Sequence, residues 1–110
     1  MSFTEVGGEF TTNGTTPVTV VPTPSSGHRH LLNNVHIDNT DTITRTASIF
    51  KDKGGTPRRI GFATIITGAQ YTFTKVTVLD ATNESIYVVM GEADTTAAPT
   101  VDVAYADVTP

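Results

Sequence analysis

The stretch HRHLLNNVHID, residues 28–38, decides the fold. Its apolar residues Leu31, Val35 and Ile37 stand at odd positions, whereas His28, His30, Asn34, His36 and Asp38 stand at even ones. Side chains of an extended strand alternate between two faces, so this spacing predicts a β-strand with an apolar inner face and a polar outer face. On that reading all three histidines of the protein point away from the core.

Five further apolar runs separated by Gly, Pro, Asn and Asp clusters read as strands at about 43–51, 57–66, 70–79, 85–92 and 100–106. The intervening DNTD supplies turn chemistry through Asn39 and Asp41 and predicts a hairpin between the first two strands. KDKGGTP predicts a second hairpin tip, with Gly54 and Gly55 free to take positive φ. The second strand sets Ile43, Ala47 and Ile49 on one face; the third does the same with Ile60, Phe62 and Ile66. A parity change between Phe73 and Val76 predicts a β-bulge near Thr74 and Lys75. Ile86 to Met90 is apolar on both parities and should be the most buried strand, and Val101, Val103 and Tyr105 should face inward.

Residues 1–27 differ in being dense in Thr, Gly and Pro, with one apolar block at Val18–Val21 bracketed by Pro17, Pro22 and Pro24. Proline cannot donate to a ladder, so the block reads as one edge strand on an extended N-terminal arm, followed by a β-sandwich domain over 28–110. The arm holds too little apolar surface to offset its own ordering entropy, and order is expected only against a partner. Phe3, Val6 and Phe10 are its expected anchors.

Composition supports an all-β, antiparallel, jelly-roll-like sandwich. Threonine is about a fifth of the chain and leucine is nearly absent, a profile of β-branched strand formers without a helical apolar stripe. Hydrophobic residues make up 37% and mean hydropathy is −0.07, so the core should be thin and subunit association useful. A net charge of −4 argues against direct nucleic-acid binding, which needs surplus Lys and Arg. The absence of a run of about 18 apolar residues argues against a membrane span. The start MSFTEVGGEF has neither the basic head nor the apolar stretch of a signal peptide, so the mature chain is expected to begin at or near Met1. There is no cysteine, which excludes disulfides and thiolate metal sites.

Candidate chemistry is sparse. His28 and His30 share a parity about 7 Å apart and could reach one metal ion, but two ligands are not a site, and no metal or other cofactor is expected. His36, Asp38 and Ser48 could be drawn as a triad, yet no nucleophile elbow is present. Glu84, Glu92 and Asp94 could supply paired carboxylates, yet a single small domain offers no deep cleft to hold them. Enzymatic activity is therefore not expected. A carbohydrate-binding module would lack tryptophan and would have to stack sugars on Tyr71, Tyr87 and Tyr105. Lys51, Lys53, Arg58 and Arg59, four of seven basic residues, surround the Gly-Gly turn as a basic finger suited to an acidic partner surface.

The Thr/Pro/Gly-rich start, the strand-turn-strand LLNNVHIDNTDTITRTASIFKDKGG and the short Thr/Val strands to the C-terminus resemble small β-sandwich virion proteins of tailed bacteriophages. The nearest pattern is that of trimeric head-decoration proteins and related head-fibre or tail modules. The resemblance covers most of the chain as a pattern without one diagnostic motif. It implies a non-catalytic homo-trimer, assembled in the host cytoplasm into the virion, that binds the major capsid protein or another virion protein and stiffens the head. A tail, fibre or baseplate adaptor is its alternative placement.

Overall fold

The computed structural model describes residues 2–110. Every regular element among them is a strand: β1 Ser2–Thr11, β2 Val18–Val21, β3 Arg29–Asp38, β4 Arg45–Lys53, β5 Thr56–Ile65, β6 Gln70–Phe73, β7 Thr77–Leu79, β8 Glu84–Met90 and β9 Thr100–Thr109. The five later runs expected from the sequence are all present, with the run at 70–79 in two pieces. All pairings are antiparallel. One sheet runs β1-β9-β3-β6, with β7 beside β6 on the same edge of β3; the other runs β2-β8-β4-β5. With β6 and β7 counted as one interrupted strand, only the β4–β5 hairpin joins neighbours within a sheet, and every other connection crosses between sheets. That is jelly-roll connectivity.

The core lies between the sheets. Leu32, Val35, Ile37, Val101, Val103 and Tyr105 from the first sheet meet Val21, Ala47, Ile49, Ile65, Ile86 and Val88 from the second. β8 has no exposed residue, as expected of the most buried strand. Gly54 and Gly55 take φ of 60° and 89° at the β4–β5 tip, the double positive-φ geometry that matches hairpin twist.

Four expectations are corrected. The DNTD segment does not form a hairpin: β3 and β4 belong to different sheets, because Asn39 and Asp41 spend their side chains on backbone groups of distant segments and carry the chain across. The bulge expected near Thr74 and Lys75 is a full break between Phe73 and Thr77, and both halves pair with β3. Within β3, a register shift between Leu32 and Asn34 inserts one extra residue and reverses the parity. Leu32 is therefore buried in place of Leu31, and His30 turns inward with it. A further shift between Ile49 and Phe50 does the same to β5, so Ile65 enters the core while Phe62 and Ile66 stand exposed.

Residues 2–11, expected as part of an arm ordered only by a partner, form β1 and pair with β9 along its whole length. The Thr/Gly-rich stretch adds little apolar surface, but the ladder satisfies its backbone, and Val6 and Phe10 pack against the core. β2 is the expected edge strand, with Val20 and Val21 buried.

Candidate functional site

Three polar clusters carry the chemistry of the molecule. The first closes one end of the sandwich around Arg45, whose side chain is fully buried. Its Nη1 donates to Asp41 Oδ2 at 2.8 Å and Asp94 Oδ1 at 3.0 Å, its Nη2 to the Glu92 carbonyl, and its Nε to Glu92 Oε1 at 3.4 Å. Asp41 also accepts backbone N–H bonds from Thr42, Thr95, Thr96 and Ala97. The Thr96 bond, helped by the other three, outweighs desolvation and holds the Asp41 carboxyl well below the usual carboxylate range. Burial alone would lower the Arg45 pKa, but its hydrogen bonds to the Asp94 and Asp41 carboxylates reverse it upward. Burial would likewise raise Glu92, and the Thr46 backbone and hydroxyl donors with Arg45 lower it. The cluster ties the 39–44 and 91–99 loops to the start of β4. It is a structural clasp that leaves no buried side-chain nitrogen or oxygen without a partner among the described residues.

The second cluster sits below the hairpin tip. Lys51 Nζ lies 2.9 Å from Glu84 Oε2 and donates to the Val78 carbonyl at 3.0 Å. Glu84 is buried and accepts the backbone N–H groups of Asp80 and Ala81 through Oε1. Burial would raise its pKa; the bond from Lys51, with those from Asp80, overrides this and lowers it to about 2. Lys51 is thereby committed within the fold. With Lys53, Thr56 and Arg58 this pair lines a surface concavity of about 250 Å³. Arg59 leaves by the opposite face, where its guanidinium lies 4.8 Å over the Phe62 ring and Phe50 stacks on Tyr87 at 5.1 Å. The expected basic finger is thus split: Lys53 and Arg58 on one face, Arg59 on the other.

The third cluster brings His28 and His30 together on Asp107 rather than on an outer face. His28 Nδ1 is 3.2 Å from both carboxylate oxygens, and His30 Nε2 is 3.4 Å from Oδ1. His30 Nδ1 donates to the Pro22 carbonyl at 2.9 Å, and its ring lies 4.8 Å from that of Tyr105. His30 is a buried strut between β2 and β3. No group of three or more His, Asp or Glu among the described residues is arranged to hold a metal ion.

The drawn triad is not assembled. His36 bonds Thr72 Oγ1 on the outside of the first sheet, whereas Ser48 lies on the second sheet's outer face. Glu92 and Asp94 serve Arg45, and Glu84 serves Lys51. The three tyrosines do not form a platform either: Tyr105 is buried between the sheets, Tyr71 packs against the core, and Tyr87 belongs to the other sheet. Of the expected arm anchors, Val6 and Phe10 turn to the core, and Phe3 is left 61% exposed. Sequence reasoning missed Arg45. The signal was there, since Arg45 shares the parity of Ala47 and Ile49, and a cation on a core face demands buried acids.

No protein-family model matches the sequence, and no curated protein matches it. The fold is shared with solved structures at low identity. A chain from the capsid structure of Helicobacter pylori bacteriophage KHP30 is similar over 100% of this chain and 95% of its own, with 18% identity and a TM-score of 0.58. A chain from the Bacillus endospore appendages, described as disulfide-linked pili, is similar over 96% and 84%, with 17% identity and a TM-score of 0.55. PirA is similar over 91% and 92%, with 13% identity and a TM-score of 0.55. At these identities the likeness shows the fold, an all-β sandwich found in capsid and pilus chains.

Proposed function

We propose that this chain is a non-catalytic structural subunit of a tailed-phage virion that decorates the head exterior as a homo-trimer. The observation carrying the reading is the jelly roll formed by the whole chain, matched end to end by a phage capsid chain. Its polar clusters support it. Arg45 and Glu84 are saturated by partners inside the fold, as suits a rigid block rather than a reaction centre. Phe3, Lys53, Arg58 and Arg59 are the exposed groups available to a capsid surface.

The test is co-sedimentation of purified protein with expanded capsids that lack it. Saturable binding that weakens when Arg58 and Arg59 become Ala supports head decoration, and no binding at tens of micromolar refutes it. The likeness to a pilus chain favours a second reading, a subunit of an extended appendage. Regular filaments formed by the protein alone would select it.

A further inference from the structure

The two sheets leave four edges, and they are not alike. β2 has only four residues, between Pro17 and Pro22, and the β6/β7 edge is broken in the middle. Short, proline-flanked or interrupted edges resist pairing with another chain. β1 and β5 are the long edges, ten residues each, and each is the terminal strand of its sheet. β1 contains no proline and no break; β5 has Pro57 at its tip and one bulged residue, Ile60, but its pairing with β4 runs from Thr56 to Ile65.

Their charges are opposite. β1 carries Glu5 and Glu9 without Lys or Arg, and its neighbour β9 adds Asp102 directly across from Glu9. β5 carries Arg58 and Arg59 without Asp or Glu, and Arg58 stands directly across from Lys51 on β4. Like charges opposed across strands are unfavourable; Glu84 already pairs with Lys51, so what a complementary strand would relieve is Glu9 facing Asp102 on one edge and the unpaired Arg58 and Arg59 on the other. Among the described residues Glu5, Glu9, Asp102, Lys53, Arg58 and Arg59 have no ion-pair partner. Each edge also shows an exposed aromatic ring, Phe3 at 61% and Phe62 at 49%.

β1 packs over β2 and β6 over β5, so the two long edges lie on opposite sides of the sandwich. One copy cannot satisfy both. We infer that β1 of one copy pairs with β5 of the next, a head-to-tail contact between copies of this chain through strand addition. Such a contact is heterologous: it closes into a ring where the rotation allows and otherwise continues. Main-chain hydrogen bonds would supply the affinity, and the Glu and Arg residues would fix direction and exclude β1–β1 and β5–β5 pairing. The inference deepens the trimer reading, and rests on it, by naming the strands that join the subunits.

Charge reversal tests it. Glu5→Lys with Glu9→Lys makes both edges basic, and Arg58→Glu with Arg59→Glu makes both acidic. The four substitutions together restore opposite edges with the signs exchanged. All four positions are exposed, and circular dichroism checks that each variant keeps the β fold. Sedimentation equilibrium at low salt should give multiples of the 11.7 kDa chain for the unaltered protein. Each two-site variant should associate at least about tenfold more weakly, and the four-site variant should recover. An oligomer indifferent to all the reversals would overturn the edge contact and leave the trimer standing. A monomer in every case would overturn both; a four-site variant as weak as the two-site ones would overturn the edge contact alone.

Discussion

Replacing Arg45 with Ala removes the cation that four acceptors share. The Arg45 side chain and its Asp41 partner are both fully buried, so the substitution strands one carboxylate in the interior and leaves Glu92 and Asp94 without the guanidinium between them. Removing one partner of a buried pair costs about 3–5 kcal/mol, because the remaining charge keeps its desolvation penalty. With an unfolding entropy of about 2.1 cal/mol/K per residue, that cost lowers the melting temperature of a 110-residue chain by roughly 13–22 °C. Scanning calorimetry at pH 7 reads the shift directly. Arg45→Ala with Asp41→Asn should recover part of it, since the stranded charge is then gone. A loss below about 4 °C for Arg45→Ala, equivalent to about 1 kcal/mol, would refute the view that this cluster clasps the loops.

Acid should weaken the protein within a defined window. Glu84 is depressed from 4.5 to about 2, and Asp41 is depressed further, so their stabilisation is present above the ordinary carboxylate range and is lost as pH falls below about 4.5, through about 2 for Glu84 and lower still for Asp41. Thermal melts between pH 7 and 2 should be flat above that window and fall within it, and Glu84→Gln should flatten the fall. Gly61→Ala should destabilise by about 1–3 kcal/mol, because the new Cβ would come within 2.8 Å of the buried Phe73 ring; unfolding in urea measures it. Deleting residues 2–11 should lower the melting temperature and expose apolar surface to a dye, because it strips β1 from β9 and uncovers the side of the core where Val6 and Phe10 pack.

The strands of the sandwich were readable because β-branched residues alternate and turn residues punctuate them. What the alternation could not reveal was which sheet each strand joins. β3 and β4 are adjacent in sequence and joined by good turn residues, yet β3 finds β9, about sixty to eighty residues away in the chain, and β4 finds β8, about thirty to forty away. Bulges were equally hidden. One extra residue at Asn33 turned His30 from an outer-face ligand candidate into an internal strut, and nothing local marks Asn33 as the extra residue. β1 was read as an arm because SFTEVGGEFT has few apolar residues; its order comes from backbone pairing with a strand about a hundred residues later. Arg45 and Glu84 were legible in principle, as charges on the parity of Ile49 and Ile86, but their partners, the Asp94 carboxylate and the Asp80 backbone N–H, come from loops.

The proposed function makes this chain a building block of a virion. Gold-labelled antibody against it, applied to purified particles and viewed in negative stain, tests that most directly. Gold spread evenly over intact heads is the expected result. Particles that remain bare on head and tail alike, while the antibody binds the isolated protein, would contradict it.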